Sequence, residues 1–239
     1  MLAAKVYVLL MIHFAFQGDN YKMADQLYNN KQYESSLKIC NTEIPKLNEK
    51  DSLYEKFLSL RASNYMQIKD YDHSIDDYLT LIRIKPEKTM YYIGLSYLYG
   101  ETLQYKKCID ILKLALSVND TDIYVLNNLS YYSNQIGYYV DGMKYAAIGL
   151  KYANNSEWKG ALLNNKGYSY IGLGKYQDAL NDINESIRLN ADNSFAYCYR
   201  AIANIHLKRM QTVCDDLEKA KNLGAVSLTN ELIKENCKN

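Results

Sequence analysis

The 239-residue sequence has little of what interrupts a helix and little of what performs catalysis. There are two prolines, Pro45 and Pro86. Proline removes a backbone donor and its ring clashes with the preceding turn, so this scarcity leaves the chain free to be helical almost throughout. Five cysteines, Cys40, Cys108, Cys198, Cys214 and Cys237, form no C-x-x-C pair and show no metal-ligand spacing. No glycine-rich phosphate loop, nucleophile elbow or metalloprotease motif is present. The sequence therefore offers nothing to hold a cofactor or a metal, and an enzyme is disfavoured. A surplus of charge is missing as well, since 28 basic and 27 acidic residues give a net charge of +1. That balance excludes a global attraction to nucleic acid or to an anionic membrane.

What is abundant is tyrosine, with 25 residues in a composition that is 48% hydrophobic and 23% charged. Such a chain buries a core and is not expected to be disordered. The stretch from Ala161 to Asn193 shows the arrangement. Leu163, Gly167 and Tyr170 recur at helical spacing, Gly174 breaks the pattern, and Tyr176, Ala179, Ile183 and Ile187 restart it on a second helix. The same unit recurs along the chain. Tyr33, Tyr71, Tyr105, Tyr139, Tyr176 and Met210 open successive second helices, at spacings of 38, 34, 34, 37 and 34 residues. The two longer spacings place small insertions around Glu49 to Ser52 and Ser156 to Trp158, where a loop between repeats absorbs them.

Side-chain size obeys the same register. Nine residues before each opening residue stand Ala24, Ala62, Ser96, Ser130, Gly167 and Ala201, all small; three residues after it stand Ser36, Ser74, Cys108, Gly142, Ala179 and Val213. Helix axes pack about 8 to 10 Å apart, and the near end of that range needs small side chains at the crossing. Ten residues after it come Glu43, Leu81, Ala115, Gly149, Ser186 and Ala220, where Glu43 and Leu81 depart from the pattern, and seven after it Cys40, Tyr78, Leu112, Ala146, Ile183 and Leu217 supply the core. Helix ends fit: Lys85-Pro86 stops a second helix, Gly224 suits a left-handed cap, and Thr121 or Asp122 and Asn193 or Ser194 are natural N-caps.

This unit resembles the tetratricopeptide repeat, an antiparallel helix pair of about 34 residues, and the resemblance covers residues 18–224. It implies an all-α fold, an α-solenoid of about six helix-turn-helix repeats, with residues 225–239 as a C-terminal capping helix that sets Leu228, Leu232 and Ile233 inward. The run CDDLEKAKNLG from Cys214 and ELIKENC ending at Cys237 is similar to the ending of exported repeat proteins of the Bacteroidota. If the cap folds back, Cys214 and Cys237 approach and bridge in an oxidising compartment; two reduced buried thiols are the alternative. Cys40 and Cys108 fall in core columns.

Residues 1–17 read as a signal peptide: Lys5, then the apolar run Val6 to Phe16, then polar Gln17, Gly18 and Asp19. The run is too short to span a bilayer as a helix, so no membrane insertion is expected after its removal. The bland alternative is an apolar helix packed on the first repeat. Cleavage leaves 27 basic and 27 acidic residues and an exported protein, periplasmic or secreted; without cleavage the chain is expected in the cytoplasm.

The resemblance implies function by binding, with the first helices of the repeats lining a concave groove. That stripe holds Ile93 and Tyr97; Asn127, Tyr131, Asn134 and Gln135; and Asn164, Tyr168 and Ile171, with Asn128 and Asn165 beside it. Asparagine amides complement the main-chain groups of a peptide, and tyrosine adds contact area at low entropy cost. The expected partner is a protein or an extended peptide held in the groove, with a glycan stacking on Tyr97, Tyr131 and Tyr168 as the alternative. Where known lysine clamps for a C-terminal carboxylate pair a lysine with an asparagine four residues later, this chain has Tyr21 and Asp25, Ser59 and Ser63, or Asn127 and Tyr131. A chaperone-tail receptor is therefore not expected. His73 and Asp77, with Asp70, Asp72 and Asp76 nearby, suggest a metal or acid–base pair only weakly, because acidic residues are ordinary in an exposed first turn.

Overall fold

A computed structural model describes residues 17–237. The segment read as a signal peptide lies, except for Gln17, outside the described residues. All regular structure among those residues is helical: α1 (residues 17–29), α2 (Tyr33–Glu43) with a single 3₁₀ turn (Ile44–Lys46), α3 (Ser52–Gln67), α4 (Tyr71–Ile84), α5 (Thr89–Glu101), α6 (Tyr105–Val118), α7 (Ile123–Gln135), α8 (Tyr139–Tyr152), α9 (Ser156–Gly172), α10 (Tyr176–Leu189), α11 (Ser194–His206), α12 (Val213–Asn222) and α13 (Val226–Asn236). The fold is an α-solenoid of about six helix pairs. It divides after Thr102 into two compact units. The first holds α1 to α5, the second α6 to α13.

Five of the six opening tyrosine positions are the first residues of second helices, namely Tyr33, Tyr71, Tyr105, Tyr139 and Tyr176. Each is half-buried. The sixth differs: α12 begins at Val213, and Met210 is exposed in the turn before it. Tyr139 and Tyr176 pack their rings on Tyr168 and His206, at 6.2 and 4.3 Å between centroids. Met210 has no ring to pack there, and its carbonyl instead accepts from the Val213 amide at 3.3 Å. The insertion expected around Ser156 to Trp158 is also not a loop. It lengthens α9 by a turn, to 17 residues against 13 in α7, with the Asn155 side chain accepting from the Trp158 amide.

Every residue of the two crossing columns is buried. The close approach lets hydroxyls bond across the pair, with Ser36 Oγ donating to the Ala24 carbonyl, Ser74 Oγ to Ala62 and Ser130 Oγ to Gly142, each at 2.8 Å. At Gly167 a Cβ would stand 2.6 Å from Ile183 Cγ1, closer than side chains tolerate. Glu43, the departure from the third small column, is buried and bonded to Asn20 and Lys46 at 3.1 and 2.9 Å. The turn inside each pair is also uniform. Lys31, Lys69, Leu103, Gly137, Gly174 and Lys208 all have φ between 57 and 79°, the left-handed residue that closes a helix C-terminus.

A further column went unread in the sequence. Arg61 grips Asp77 through two bonds of 2.8 and 2.6 Å, Arg200 grips Asp216 through bonds of 2.9 and 2.6 Å, and Lys166 lies 3.0 Å from Asp182. Each pair is 16 residues apart and joins the two helices of one repeat. Burial lifts the Asp77 carboxyl above its ordinary value although Arg61 pulls the other way. The bonds that Arg200 donates to Asp216 raise its guanidinium. In the fourth pair the same two positions are Leu129 and Tyr145, so the site accepts either an ion pair or two apolar groups.

Two outcomes follow for thermal or urea unfolding. Gly167→Leu overpacks the crossing and lowers stability by about 1 to 3 kcal/mol; an unchanged melting temperature contradicts the register. Arg61→Leu leaves Asp77 buried without its partner and costs about 3 to 5 kcal/mol, whereas Arg61→Leu with Asp77→Leu recovers most of that loss. A double variant no more stable than the single one contradicts the equivalence of the two solutions.

Candidate functional site

In the second unit the first helices α7, α9 and α11 lie side by side. Along α7, Tyr124, Asn127, Asn128 and Tyr131 fall at i, i+3, i+4 and i+7, which puts them on one face. Tyr124 and Tyr131 are 55% and 40% exposed, and the two asparagines are half-buried between them. Trp158, Asn165 and Tyr168 follow on α9, then Phe195 and Tyr199 on α11.

The asparagines play unequal parts. Asn165 Nδ2 donates to Asn127 Oδ1 at 2.9 Å, joining α9 to α7. That bond consumes an acceptor of Asn127 and fixes the orientation of its carboxamide. Asn127 Nδ2 reaches Asn128 Oδ1 only at 3.4 Å, a long bond that leaves both amides at the solvent edge. Asn134 is buried; its Nδ2 donates to the Asn165 carbonyl at 2.9 Å and its Oδ1 accepts from Ser169 Oγ at 2.8 Å. A Cβ on Gly142 would fall 2.2 Å from that oxygen, so glycine there lets α8 close over it. Asn134 and Asn165 thus tie neighbouring helices together. Asn164 is buried, and its Oδ1 has no partner among the described residues.

The rings are equally organised. Tyr124 meets Trp158 edge-on with centroids 4.4 Å apart, Tyr131 meets Tyr132 at 5.2 Å, and Tyr168 stacks on Tyr199 at 4.4 Å with 17° between planes. Phe195, 48% exposed, stands 6.1 Å from Tyr199. Burial pushes the phenols of Tyr168 and Tyr199 up, with their neighbouring tyrosines adding to it, so both stay neutral. Phe195, Tyr199 and Tyr124 were missed in the sequence, although Tyr199 sits in the register of Asn165 and Asn128 one repeat on. Tyr168, with one ring face covered by Tyr199, presents less free surface than its spacing suggested.

Tyr97 belongs to the first unit and is 47% exposed. There it lines a cleft of about 300 Å³ with Met66, Gln67, Lys69, Tyr71 and Glu101. A second cleft in that unit, about 370 Å³, is lined by residues including Tyr21, Asp25, Tyr28, Lys56 and Ser59. At its floor Glu55 accepts from Lys88 and Tyr91. Burial works to raise the Glu55 carboxyl, but those two bonds hold it below its ordinary value.

His73 bonds Asp70 at 2.8 Å, which raises its imidazole, and Asp77 is committed to Arg61; the two do not form a site. Among the described residues no group of three or more histidine, cysteine or acidic side chains converges on a metal position. Cys40, Cys108 and Cys198 are buried, and burial pushes each thiol up to about 12. The sulfurs of Cys214 on α12 and Cys237 at the end of α13 are bonded. Leu232, Ile233 and Cys237 pack on the core of the last pair, which includes Cys198, Ala201, Val213, Leu217 and Ala220, whereas Leu228, expected inward with them, is exposed. No described helix is long and apolar enough to cross a membrane.

Residues 54–88 and 161–193 match the family model of the tetratricopeptide repeat. Curated proteins give no match to the chain. Among solved structures, the APC/C hetero-tetramer Cut9–Hcn1 aligns over 93% of this chain with a TM-score of 0.71 and 13% identity. This chain spans 46% of that one, less than half its length. A tetratricopeptide repeat protein of Parabacteroides merdae aligns over 93% of this chain and 84% of its own, with a TM-score of 0.67 and 16% identity. YrrB, described as a tetratricopeptide repeat protein with an unusual peptide-binding site, aligns over 82% of this chain and 97% of its own, with a TM-score of 0.59 and 14% identity. At these identities the likeness is one of fold.

Proposed function

The chain is a tetratricopeptide-repeat protein, a fold of interaction scaffolds, and from that premise we propose that it binds an extended segment of a partner protein, without catalysis, on the face made by α7, α9 and α11. The observation that carries this reading is the bond from Asn165 to Asn127. It orients the half-buried Asn127 carboxamide, with Asn128 beside it and the exposed Tyr124 and Tyr131 on either side. Donors already fixed in place lose less entropy when a main-chain carbonyl arrives. The peptide site named for YrrB supports the reading by analogy of fold. We further propose that the chain is exported. The apolar run Val6 to Phe16 and the bonded pair Cys214–Cys237 support that.

The binding reading is tested by a pull-down from an envelope fraction with the wild type, an Asn127→Ala/Asn128→Ala variant and a Lys175→Ala control, each verified as folded by circular dichroism. The reading expects a protein that the wild type and the control retain and the asparagine variant loses. Equal retention by all three contradicts it. Export is tested by alkylating intact cells with a thiol reagent before and after reduction. Cys214 and Cys237 should react only after reduction; labelling of both without a reductant contradicts an oxidising location.

A further inference from the structure

Building on the peptide reading, we propose that the segment held on the α7–α9–α11 face is uncharged, proline-rich and in the polyproline II conformation. The first ground is charge. Helix α7 carries no charged residue. On α9 and α11, Lys166 and Arg200 are tied within their own repeats to Asp182 and Asp216, and Glu157 and Lys159, flanking Trp158, are of opposite sign. A charged segment would give up hydration on this face and find no counter-charge.

The second ground is the chemistry of the face. Its exposed groups are rings, from Tyr124, Tyr131 and Phe195, with Trp158 and the Tyr168–Tyr199 stack between them. Its polar groups are the carboxamides of Asn127 and Asn128, whose oxygens already accept from Asn165 Nδ2 and Asn127 Nδ2, so that what they have left to offer an incoming segment is chiefly N–H. A polyproline II segment makes no internal hydrogen bonds, so its carbonyls are free to accept, and proline rings pack on aromatic faces. Because proline has no N–H, such a segment asks the protein for donors rather than acceptors. Oriented asparagine amides meet that demand.

The third ground is spacing. Polyproline II rises about 3.1 Å per residue with three residues per turn, a period of about 9 Å. Packed helices stand about 8 to 10 Å apart. A segment crossing α7, α9 and α11 therefore returns the same side of its helix to each successive row of rings. A β-strand repeats every two residues, about 6.7 Å, and falls out of step by the second helix.

The test is calorimetric titration of the full chain with an oligoproline peptide capped at both ends, beside a capped glycine-serine peptide of equal length. The proposal expects saturable binding of oligoproline, weaker binding of the glycine-serine peptide, a loss of about tenfold in Tyr124→Ala and in Tyr131→Ala, and retention in Tyr131→Phe. Thermal denaturation verifies that each variant is folded at the titration temperature, since both tyrosines also pack on a neighbouring ring. Absence of oligoproline binding, equal affinity for both peptides, or indifference to both alanine variants overturns it. If the glycine-serine peptide binds equally and is lost in Asn127→Ala/Asn128→Ala, the peptide reading survives while the polyproline proposal falls. If the pull-down partner is also indifferent to the asparagine variant, both fall together.

Discussion

Within each of the two units, the structure rests on how closely the paired helices approach where they cross. Small residues on both sides allow that approach, and hydroxyls at the contact then reach backbone carbonyls on the facing helix, as Ser36, Ser74 and Ser130 do. These bonds satisfy polar groups that burial would otherwise leave unmade. A larger residue at any crossing would part the pair and with it the helix face that neighbouring repeats stack upon. The buried ion pairs of α3/α4, α9/α10 and α11/α12 are a second fastening inside the pair. They also hold Lys166 and Arg200 inside their pairs. The neutrality of the candidate site is thus a consequence of how the repeats are fastened.

Much of this was legible in the sequence because close packing filters side-chain size at fixed positions. The crossing columns, the five tyrosine helix starts and the N-caps at Asp122 and Asn193 all follow from local rules. What escaped was set by tertiary context. The left-handed turn is filled by lysine at 31, 69 and 208 and by leucine at 103, where propensity favours glycine; packing of the two flanking helices overrides the local preference. The insertion at Ser156 extends α9 because Asn155 provides a cap and Trp158 packs beside Ala146, Ala153 and Leu162. The start of α12 lies at Val213, in the one repeat whose opening position carries methionine in place of tyrosine.

The candidate stripe was legible as composition and not as roles. Spacing placed the asparagines along one stripe but could not say that Asn134 and Asn165 bond helices to each other, since that depends on which carbonyls lie opposite. The partition into amides that build the wall and amides that face outward, Asn127 and Asn128, emerges only when α7 and α9 are set together. Tyr199 was passed over for a related reason: its column holds asparagine in the two preceding repeats, and a change of residue type hid the shared position.

The central claim, that Asn127 and Asn128 are the donors meeting a partner's main chain, is tested most directly by nuclear magnetic resonance of the side-chain amides in an isotope-labelled chain during titration with capped oligoproline. The account predicts that the Asn127 and Asn128 amide resonances move with saturation while that of Asn134, buried between helices, stays in place. Shifts confined to other residues, with Asn127 and Asn128 unmoved at saturation, would contradict it.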